Sequence, residues 1–173
     1  AESFGYLREL DSSEYYLQKA AKYYSSNGCP DISYQNYYRI AAAVYHNKGD
    51  YPSALSISLK NLAILDQYKD NYEEADCLLM ISQTFNRMKE SSKGIVYARK
   101  ALPFIRELTV PSEKANLLYK VGGKYLWYFQ DTKDFKFLDT GEVLTREQLS
   151  IGKKINDASI LRKGYNLMNG YAH

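Results

Sequence analysis

The chain contains the segments YRIAAAVY at residues 38–45 and GDYPSAL at residues 49–55, which together specify a pair of helices. In the first segment, apolar and small residues follow the i, i+3, i+4, i+7 spacing that lies on one face of an α-helix: Tyr38, Ala41, Ala42 and Tyr45. In the second segment, Asp50 followed by Pro52 is a helix-start signal, with a carboxylate at the N-cap and a proline in the first turn. The short connection between the two patterns therefore predicts a helical hairpin.

The first-helix pattern recurs twice at an interval of 40 residues. Two large residues bracket a smaller pair, and the pattern returns as Leu78/Ile81/Ser82/Phe85 and again as Leu118/Val121/Gly122/Tyr125. A further copy, Gly164/Leu167/Met168/Tyr171, follows after a longer interval, which implies a short insertion near 127–134. Residues 15–21 match the second helix of a repeat. Because one hairpin cannot bury both of its faces, such copies are expected to stack on their neighbours. We expect the small pair to let the second helix approach closely, and the large residues Tyr45, Phe85 and Tyr125 to be buried toward the next hairpin.

Start and stop signals divide the chain into helices and repeats. Helices are predicted near 10–25, 33–47, 52–68, 71–88, 92–108, 112–130, 136–155 and 157–172, and no strands are expected. Pro103 lies inside the fifth of these and is expected to kink or restart that helix. The whole chain, 1–173, is predicted to be a single repeat array, with repeats at roughly 1–32 (partial), 35–70, 75–110, 115–156 and 157–173 (partial). Since it starts at Ala1 and ends within a helical pattern, we expect a piece of a longer protein.

Composition excludes several classes of protein. The 173 residues are 45% hydrophobic and 25% charged, with a net charge of +3, which is typical of a globular protein. The longest stretches without charged residues span ten positions, against the ~20 needed to cross a bilayer. The 18 tyrosines, with pairs at 15/16, 23/24 and 37/38, could form a stacking surface for single-stranded nucleic acid. The low net charge argues against that, and packing is the favoured explanation.

The sequence contains no assembled catalytic or metal-binding motif. His46 and His173 are the only histidines, and they belong to different repeats. Cys29 and Cys77 are 48 positions apart, so they do not form a Cys-x-x-Cys metal or redox motif. We expect both to be free and buried, with a single disulfide between them as the alternative. Gly122 is followed by a second glycine inside a helical pattern, which indicates close helix packing rather than a phosphate loop. We therefore expect no enzyme, no cofactor and no metal.

These patterns resemble the tetratricopeptide repeat (TPR) family, in the long-repeat variant found in bacterial signalling and sensor proteins, with a period of roughly 40 residues. The resemblance covers most of the chain and is most specific over residues 38–62, although Ser58 and Asn61 depart from the motif. The stretch LSIGKKIND at 149–157 also resembles helix junctions in TPR sensor domains of bacterial two-component kinases and regulators. The resemblance implies an all-α fold, a TPR-like right-handed superhelix of stacked antiparallel helical hairpins.

In that family the first helix of each hairpin lines an inner groove. Transferred to this sequence, the groove residues most suited to binding are rich in amides and arginines: Asn36, Arg39, His46, Asn47, Gln83, Asn86, Arg87, Asn116 and Tyr119. Other positions on the same faces include Asp76, Leu79, Gly123 and Trp127. Amide side chains both donate and accept hydrogen bonds, and arginine pairs with carboxylates, so the implied partner is a protein or an extended peptide. The cationic clamp of chaperone-binding TPR domains is not reproduced, since the four positions Arg39, Ala43, Met80 and Lys120 do not supply its set of residues.

We therefore expect a non-enzymatic protein- or peptide-binding module, the sensor or scaffold domain of a larger bacterial signalling protein. One alternative is a receptor domain of the peptide-pheromone type, in which the groove encloses a short peptide. Another is a structural module that forms a homodimer through its tyrosine-rich face. The sequence predicts neither nucleic-acid binding nor membrane insertion, and it leaves the compartment open.

Overall fold

The computed structural model describes residues 2–26 and 34–171. Over these ranges the chain is all-α, with no strand and eight helices. Their bounds are α1 Glu2–Ser26, α2 Tyr34–Lys48, α3 Tyr51–Tyr68, α4 Asn71–Arg87, α5 Ser91–Glu107, α6 Pro111–Thr132, α7 Phe135–Lys154 and α8 Ala158–Tyr171. The helix-rich architecture predicted from the repeats is confirmed.

Two of the predicted helices differ from the structure. Helix α1 begins at Glu2, earlier than the predicted start at residue 10. Helix α5 runs without interruption through Pro103, so the expected restart there does not occur. Pro103 is exposed, whereas Ala101 and Ile105 are buried. The proline therefore removes one backbone hydrogen bond at the solvent side, and packing of the opposite face holds the helix together.

Aspartates cap the starts of α3, α7 and α8. At the start of α3, Asp50 Oδ1 accepts a hydrogen bond from the Ser53 N–H at 3.2 Å, with Pro52 in the first turn, as the sequence predicts. Asp134 does the same for the Lys136 N–H of α7 at 3.0 Å. Asp157 accepts from the first turn of α8 at 2.9 and 3.0 Å. These carboxylates pair backbone N–H groups that have no partner within the helix.

The structure divides into two compact units, residues 1–70 and 71–173, which are described separately. In the first unit α2 packs against both α1 and α3. Its core contains Leu17, Ala41 and Val44, with Tyr37 and Ile57 packed against them. Ala41 and Ala42, the small pair at the centre of the α2 pattern, are both buried.

In the second unit α4 and α5 form one hairpin and α6 and α7 form the next, with α8 following. Helix α6 contacts both α4 and α8, so the first helices of successive hairpins lie side by side. Phe85 and Tyr125 are buried, as predicted for the large residues of the repeat. Their counterpart in the first unit, Tyr45, is only half-buried.

A tyrosine from the following first helix reaches into each hairpin of this unit. Tyr128 of α6 places its hydroxyl 2.6 Å from Ser82 Oγ of α4. It also lies against Gly94 of α5, where an added Cβ would be only 2.8 Å from the Tyr128 hydroxyl. The same arrangement recurs one hairpin later, so packing explains part of the chain's high tyrosine content.

The second copy uses Tyr171 of α8. Its hydroxyl donates a hydrogen bond to the Gly122 carbonyl of α6 at 2.6 Å. On α7, Gly141 leaves room for the ring, because a Cβ there would overlap the tyrosine. An added Cβ on Gly122 would lie 2.8 Å from Thr145 Oγ1, which confirms that this glycine serves close helix packing.

Across the described ranges, no helix combines the length and apolar character that crossing a membrane requires.

Cys77 is buried on α4, and Cys29 lies outside the described residues.

Candidate binding site between helices α4 and α6

A pocket of about 330 Å³ lies between α4 and α6 in the second unit. These are the first helices of two successive hairpins, the elements predicted to line a groove. Residues spaced three and four apart, on one face of each helix, form its walls: Asp76, Leu79, Met80 and Gln83 on α4, and Tyr119, Lys120, Gly123 and Lys124 on α6.

The pocket is lined by both apolar and polar side chains. Of the apolar ones, Leu79 is buried and Met80 is half-buried. On the α6 side, a Cβ added to Gly123 would have no atom within 4 Å. The missing side chain therefore leaves open space beside this residue.

Two lysines one turn apart on α6 dominate the electrostatics of the pocket. Lys120 Nζ lies 2.5 Å from Asp76 Oδ1 of α4, an ion pair across the pocket. Lys124 Nζ donates a hydrogen bond to Gln83 Oε1 at 2.6 Å. Asp76 therefore partners Lys120, whereas the Lys124 ammonium has an uncharged amide as its hydrogen-bond acceptor.

Lys124 is less basic than an ordinary lysine. Burial, the largest cause, and the positive charges of Lys120 and Arg87 together lower its pKa to about 8, while Asp76 opposes them. The ammonium form is thus destabilised both by loss of hydration and by like charges. A negatively charged group entering the pocket would relieve this positive charge.

Cations also lie over aromatic rings beside the pocket. The Arg87 guanidinium carbon is 5.1 Å from the centre of the Trp127 ring. Lys163 of α8 places its Nζ 5.9 Å from the centre of the Tyr119 ring. Both distances fall within the ~6 Å range of cation–π attraction. The charged and aromatic surface therefore continues from the pocket toward α8 and toward the end of α4.

Some of the predicted groove residues are at this site. Gln83 and Tyr119 line the pocket. Arg87 is exposed beside Trp127 and close enough to influence Lys124. Asn116 is half-buried on α6, but it is not among the pocket-lining residues.

Two predicted groove residues are buried instead. Asn86 is 6% exposed, in the cluster where α4 meets Gly94 of α5 and Tyr128 of α6. His46 is 7% exposed, and its ring packs edge-on against Tyr51 with 5.4 Å between ring centres. Each lies four residues after a small packing residue of its helix, Ser82 or Ala42, so it shares the buried face. Assigning them to a solvent-facing groove was wrong.

The remaining predicted residues lie on α2 in the first unit. Asn36, Arg39 and Asn47 are exposed. Arg39 Nη2 donates to Asn36 Oδ1 at 3.4 Å, so these two are neighbours on the helix surface, while Asn47 is near the other end of the helix. The α4/α6 pocket includes none of these three residues.

Lys124 is not among the residues predicted from the sequence, and Lys120 is considered there only in connection with a chaperone-type clamp. A signal was present, because the two lysines are four residues apart and each directly follows a residue assigned to the groove, Tyr119 or Gly123. If the groove-facing side of the first helix is taken to include the residue after each of these positions, both lysines are among the predicted groove residues.

The described residues thus form an all-α protein of helical hairpins with repeat-like architecture and a cationic pocket between successive first helices. Comparison with protein-family models and with curated proteins finds no match.

Proposed function

We propose that this chain is a non-enzymatic protein- or peptide-binding module and that the α4/α6 face of its second unit holds an extended peptide. The observation that carries the proposal is the pocket between successive first helices. On the strength of the TPR resemblance, we place the module in the sensor or scaffold part of a larger bacterial signalling protein.

The composition of the pocket suits a peptide. Ligand sites combine an apolar surface with a few polar groups that fix orientation, and they have volumes of ~300–1,000 Å³. A pocket of about 330 Å³ takes a side chain or a chain end, rather than a whole folded partner. Leu79 and Met80 supply the apolar surface, while Gln83 and the lysines supply polar groups. The rest of the peptide would lie along α4 and α6, past Trp127.

The expected affinity is modest. Each net hydrogen bond contributes about 0.5–1.5 kcal/mol, and ordering a flexible peptide consumes part of that gain. We therefore expect dissociation constants on the order of micromolar.

The test fills the pocket without disturbing the fold. Peptides selected from a random display library against the chain are measured by fluorescence anisotropy with wild type, Gly123→Phe and Val96→Phe. Position 123 has open space, so phenylalanine fits there and occludes the pocket. Val96 is an exposed residue on the second helix α5 and serves as the matched control. We expect binding to weaken at least about tenfold with Gly123→Phe and to be unchanged with Val96→Phe. The reverse pattern would place the site on the second helices and overturn the proposal.

Self-association is a second candidate function. Tyr15, Tyr16 and Tyr23 of α1 are each more than half exposed, which offers aromatic surface for a second copy. Sedimentation analysis over a range of concentrations separates the two functions. A concentration-dependent dimer that Tyr16→Ser dissociates would favour assembly, and a monomer that binds selected peptides would favour recognition.

A further inference from the structure

We propose that Lys124, on the α6 side of the α4/α6 pocket, is a modification site that reacts reversibly with carbon dioxide and carries it as a carbamate. This modification goes beyond peptide binding and does not require a peptide. Three features of the site support it: the access of the amine to open space, its hydrogen-bond acceptor and the charges around it.

The side chain of Lys124 borders open space. It lines a pocket of about 330 Å³ together with Gly123. A Cβ added to Gly123 would have no atom within 4 Å. Carbon dioxide adds only one carbon and two oxygens to the amine, whereas the pocket has roughly ten times the volume that one water molecule takes up in the liquid. The product therefore fits without a rearrangement of α4 or α6.

The hydrogen bond that holds Lys124 suits both the amine and the carbamate. Lys124 Nζ donates to Gln83 Oε1 at 2.6 Å. The neutral amide of Gln83 accepts an N–H whether or not the donor is charged, and a carbamate nitrogen keeps one N–H. The same bond therefore holds the nitrogen before and after the reaction. Asp76, the carboxylate on this side of α4, is paired with Lys120 instead.

The charges around Lys124 favour an anionic product. The charged groups acting on it are Lys120 on its own helix and Asp76 and Arg87 on α4. On the α8 side, Lys163 lies over an aromatic ring that lines the pocket. Three neighbouring cations thus face one carboxylate. A carbamate replaces the positive charge of Lys124 by a negative one in these surroundings, so the cations stabilise the product.

Lys120 also has hydrogen-bond donors for the carbamate. An ammonium carries three N–H donors, and Lys120 uses one of them for Asp76. Lys120 and Lys124 are one turn apart, and side chains with this spacing are neighbours on a helix. Charge-assisted bonds of this kind are stronger than neutral ones. An imine formed with an aldehyde would not gain from them, because it carries no negative charge.

The state of the amine supports the same chemistry. Only a neutral amine has a lone pair that can attack carbon dioxide, and loss of hydration together with neighbouring cations is a known way to obtain one. With its pKa of about 8, roughly one Lys124 in ten is neutral at neutral pH, which is about 300-fold more than for a lysine with the ordinary value of 10.5.

The reaction balances without a further reactant. The neutral Nζ shares its lone pair with the carbon of carbon dioxide, so an N–C bond forms while one C–O π pair moves onto oxygen. The nitrogen then releases one proton to solvent, and no electron is transferred to another molecule. Starting from the ammonium, two protons are released in all. At fixed carbon dioxide, the ratio of carbamate to unmodified Lys124 should therefore rise about 100-fold per pH unit below about pH 8 and about tenfold per unit above it.

The first test traps the carbamate in the intact wild-type chain. The chain is equilibrated with ¹³C-labelled carbon dioxide at neutral pH and treated with triethyloxonium, which converts a carbamate into a stable ethyl ester that peptide mass spectrometry locates. We expect at least about tenfold more label on Lys124 than on Lys153, an exposed lysine of α7. Equal labelling of the two lysines, or no label on Lys124, would overturn the proposal.

A second test observes the carbamate by ¹³C NMR without trapping. The α-amino group of the chain is acetylated first, because an α-amine also has a pKa near 8 and would form a carbamate of its own. Lys124→Arg keeps the positive charge, but a guanidinium does not react, so the carbamate resonance should disappear. Lys153→Met should leave it unchanged. A resonance of equal intensity in wild type and Lys124→Arg would show that another amine reacts, and the proposal would fail.

The surrounding charges are tested with Asp76→Asn. Asp76 favours the ammonium form of Lys124, and its carboxylate would repel a carbamate. Removing this charge should therefore increase the ¹³C resonance at fixed pH and carbon dioxide by at least about twofold. Asp139→Asn, at an exposed position of α7, is the matched control and should have no effect. A decrease in Asp76→Asn would contradict the role of the cations.

The pH profile of the wild-type resonance identifies the amine. The slope of the carbamate ratio should change near pH 8, where Lys124 loses its ammonium proton. A slope that stays constant through this range would overturn the assignment to Lys124.

Failure of this inference is separate from failure of the proposed function. A chain that carries the carbamate on Lys124 but binds no selected peptide would keep the modification and lose the peptide-binding function. A chain whose selected peptides are blocked by Gly123→Phe, but whose Lys124 is unlabelled, would keep peptide binding and lose the modification.

Discussion

Tyr128 is a single residue that joins three helices of the second unit. Its hydroxyl is paired with Ser82 Oγ at 2.6 Å, and burial raises the pKa of this tyrosine above its ordinary value. Replacing it with phenylalanine keeps the ring packing but removes a buried hydrogen bond, which costs about 0.5–1.5 kcal/mol. Urea unfolding should therefore show a loss of that size for Tyr128→Phe. Tyr165→Phe, at an exposed position of α8, is the control, and equal stability of the two variants would contradict the buried pairing.

Lys124 makes a second residue-scale prediction, concerning pH. Its pKa is about 8 in the folded chain against 10.5 for an ordinary lysine, so between these values the unfolded chain binds more protons. Stability contributed through this residue should therefore rise as pH increases from about 8 to about 10.5. The difference in unfolding free energy between wild type and Lys124→Met, measured by urea unfolding at several pH values, should shift in favour of wild type across that window. A difference that stays constant with pH would contradict the lowered pKa.

Two helical glycines with opposite surroundings allow a paired test of how the helices pack. A Cβ added at Gly94, which faces Asn86 and Tyr128, would lie only 2.5 Å from Asn86 Oδ1, whereas Gly123 faces open space. Gly94→Ala should destabilise by about 1–3 kcal/mol, because the α4/α5 hairpin would be overpacked. Gly123→Ala should instead stabilise by up to about 1 kcal/mol, since alanine is the better helix former. Thermal unfolding that moves both variants in the same direction would show that the helix packing is wrong.

The same elements indicate how far the sequence predicts the structure. Periodicity identifies each helix face, so the small pair in α2 and the large Phe85 and Tyr125 were correctly predicted to pack. The same periodicity places His46 and Asn86 on the buried face, because each lies one turn beyond a small packing residue. Periodicity does not tell whether Pro103 interrupts α5, since the effect of this proline depends on which side of the helix faces solvent.

The pocket illustrates what the sequence alone could not predict. Its residues were partly anticipated, in Asp76, Leu79, Gln83, Tyr119 and Gly123. Its depth depends on how closely α4 and α6 approach and on the missing side chain at Gly123. The lowered pKa of Lys124 depends on burial and on Arg87, which is distant in sequence. The depth of the pocket and the lowered pKa both depend on how the helices pack, and the spacing of residues along the sequence does not specify that packing.

For the molecule as a whole, we propose a peptide-binding array on two grounds. These are the regular spacing of the repeated first-helix pattern and the helical hairpins that the structure confirms. The TPR family itself stays a prediction, because neither protein-family models nor curated proteins match the chain. The central claim is therefore one of location, that a peptide binds on the first helices α4 and α6.

Chemical-shift mapping tests that claim most directly. Backbone amide resonances of the ¹⁵N-labelled chain are followed by NMR while a library-selected peptide is added. We expect the largest changes at Gln83, Tyr119 and Gly123, and only small changes along α5 and α7. Changes concentrated on α5 and α7, with α4 and α6 unaffected, would contradict it.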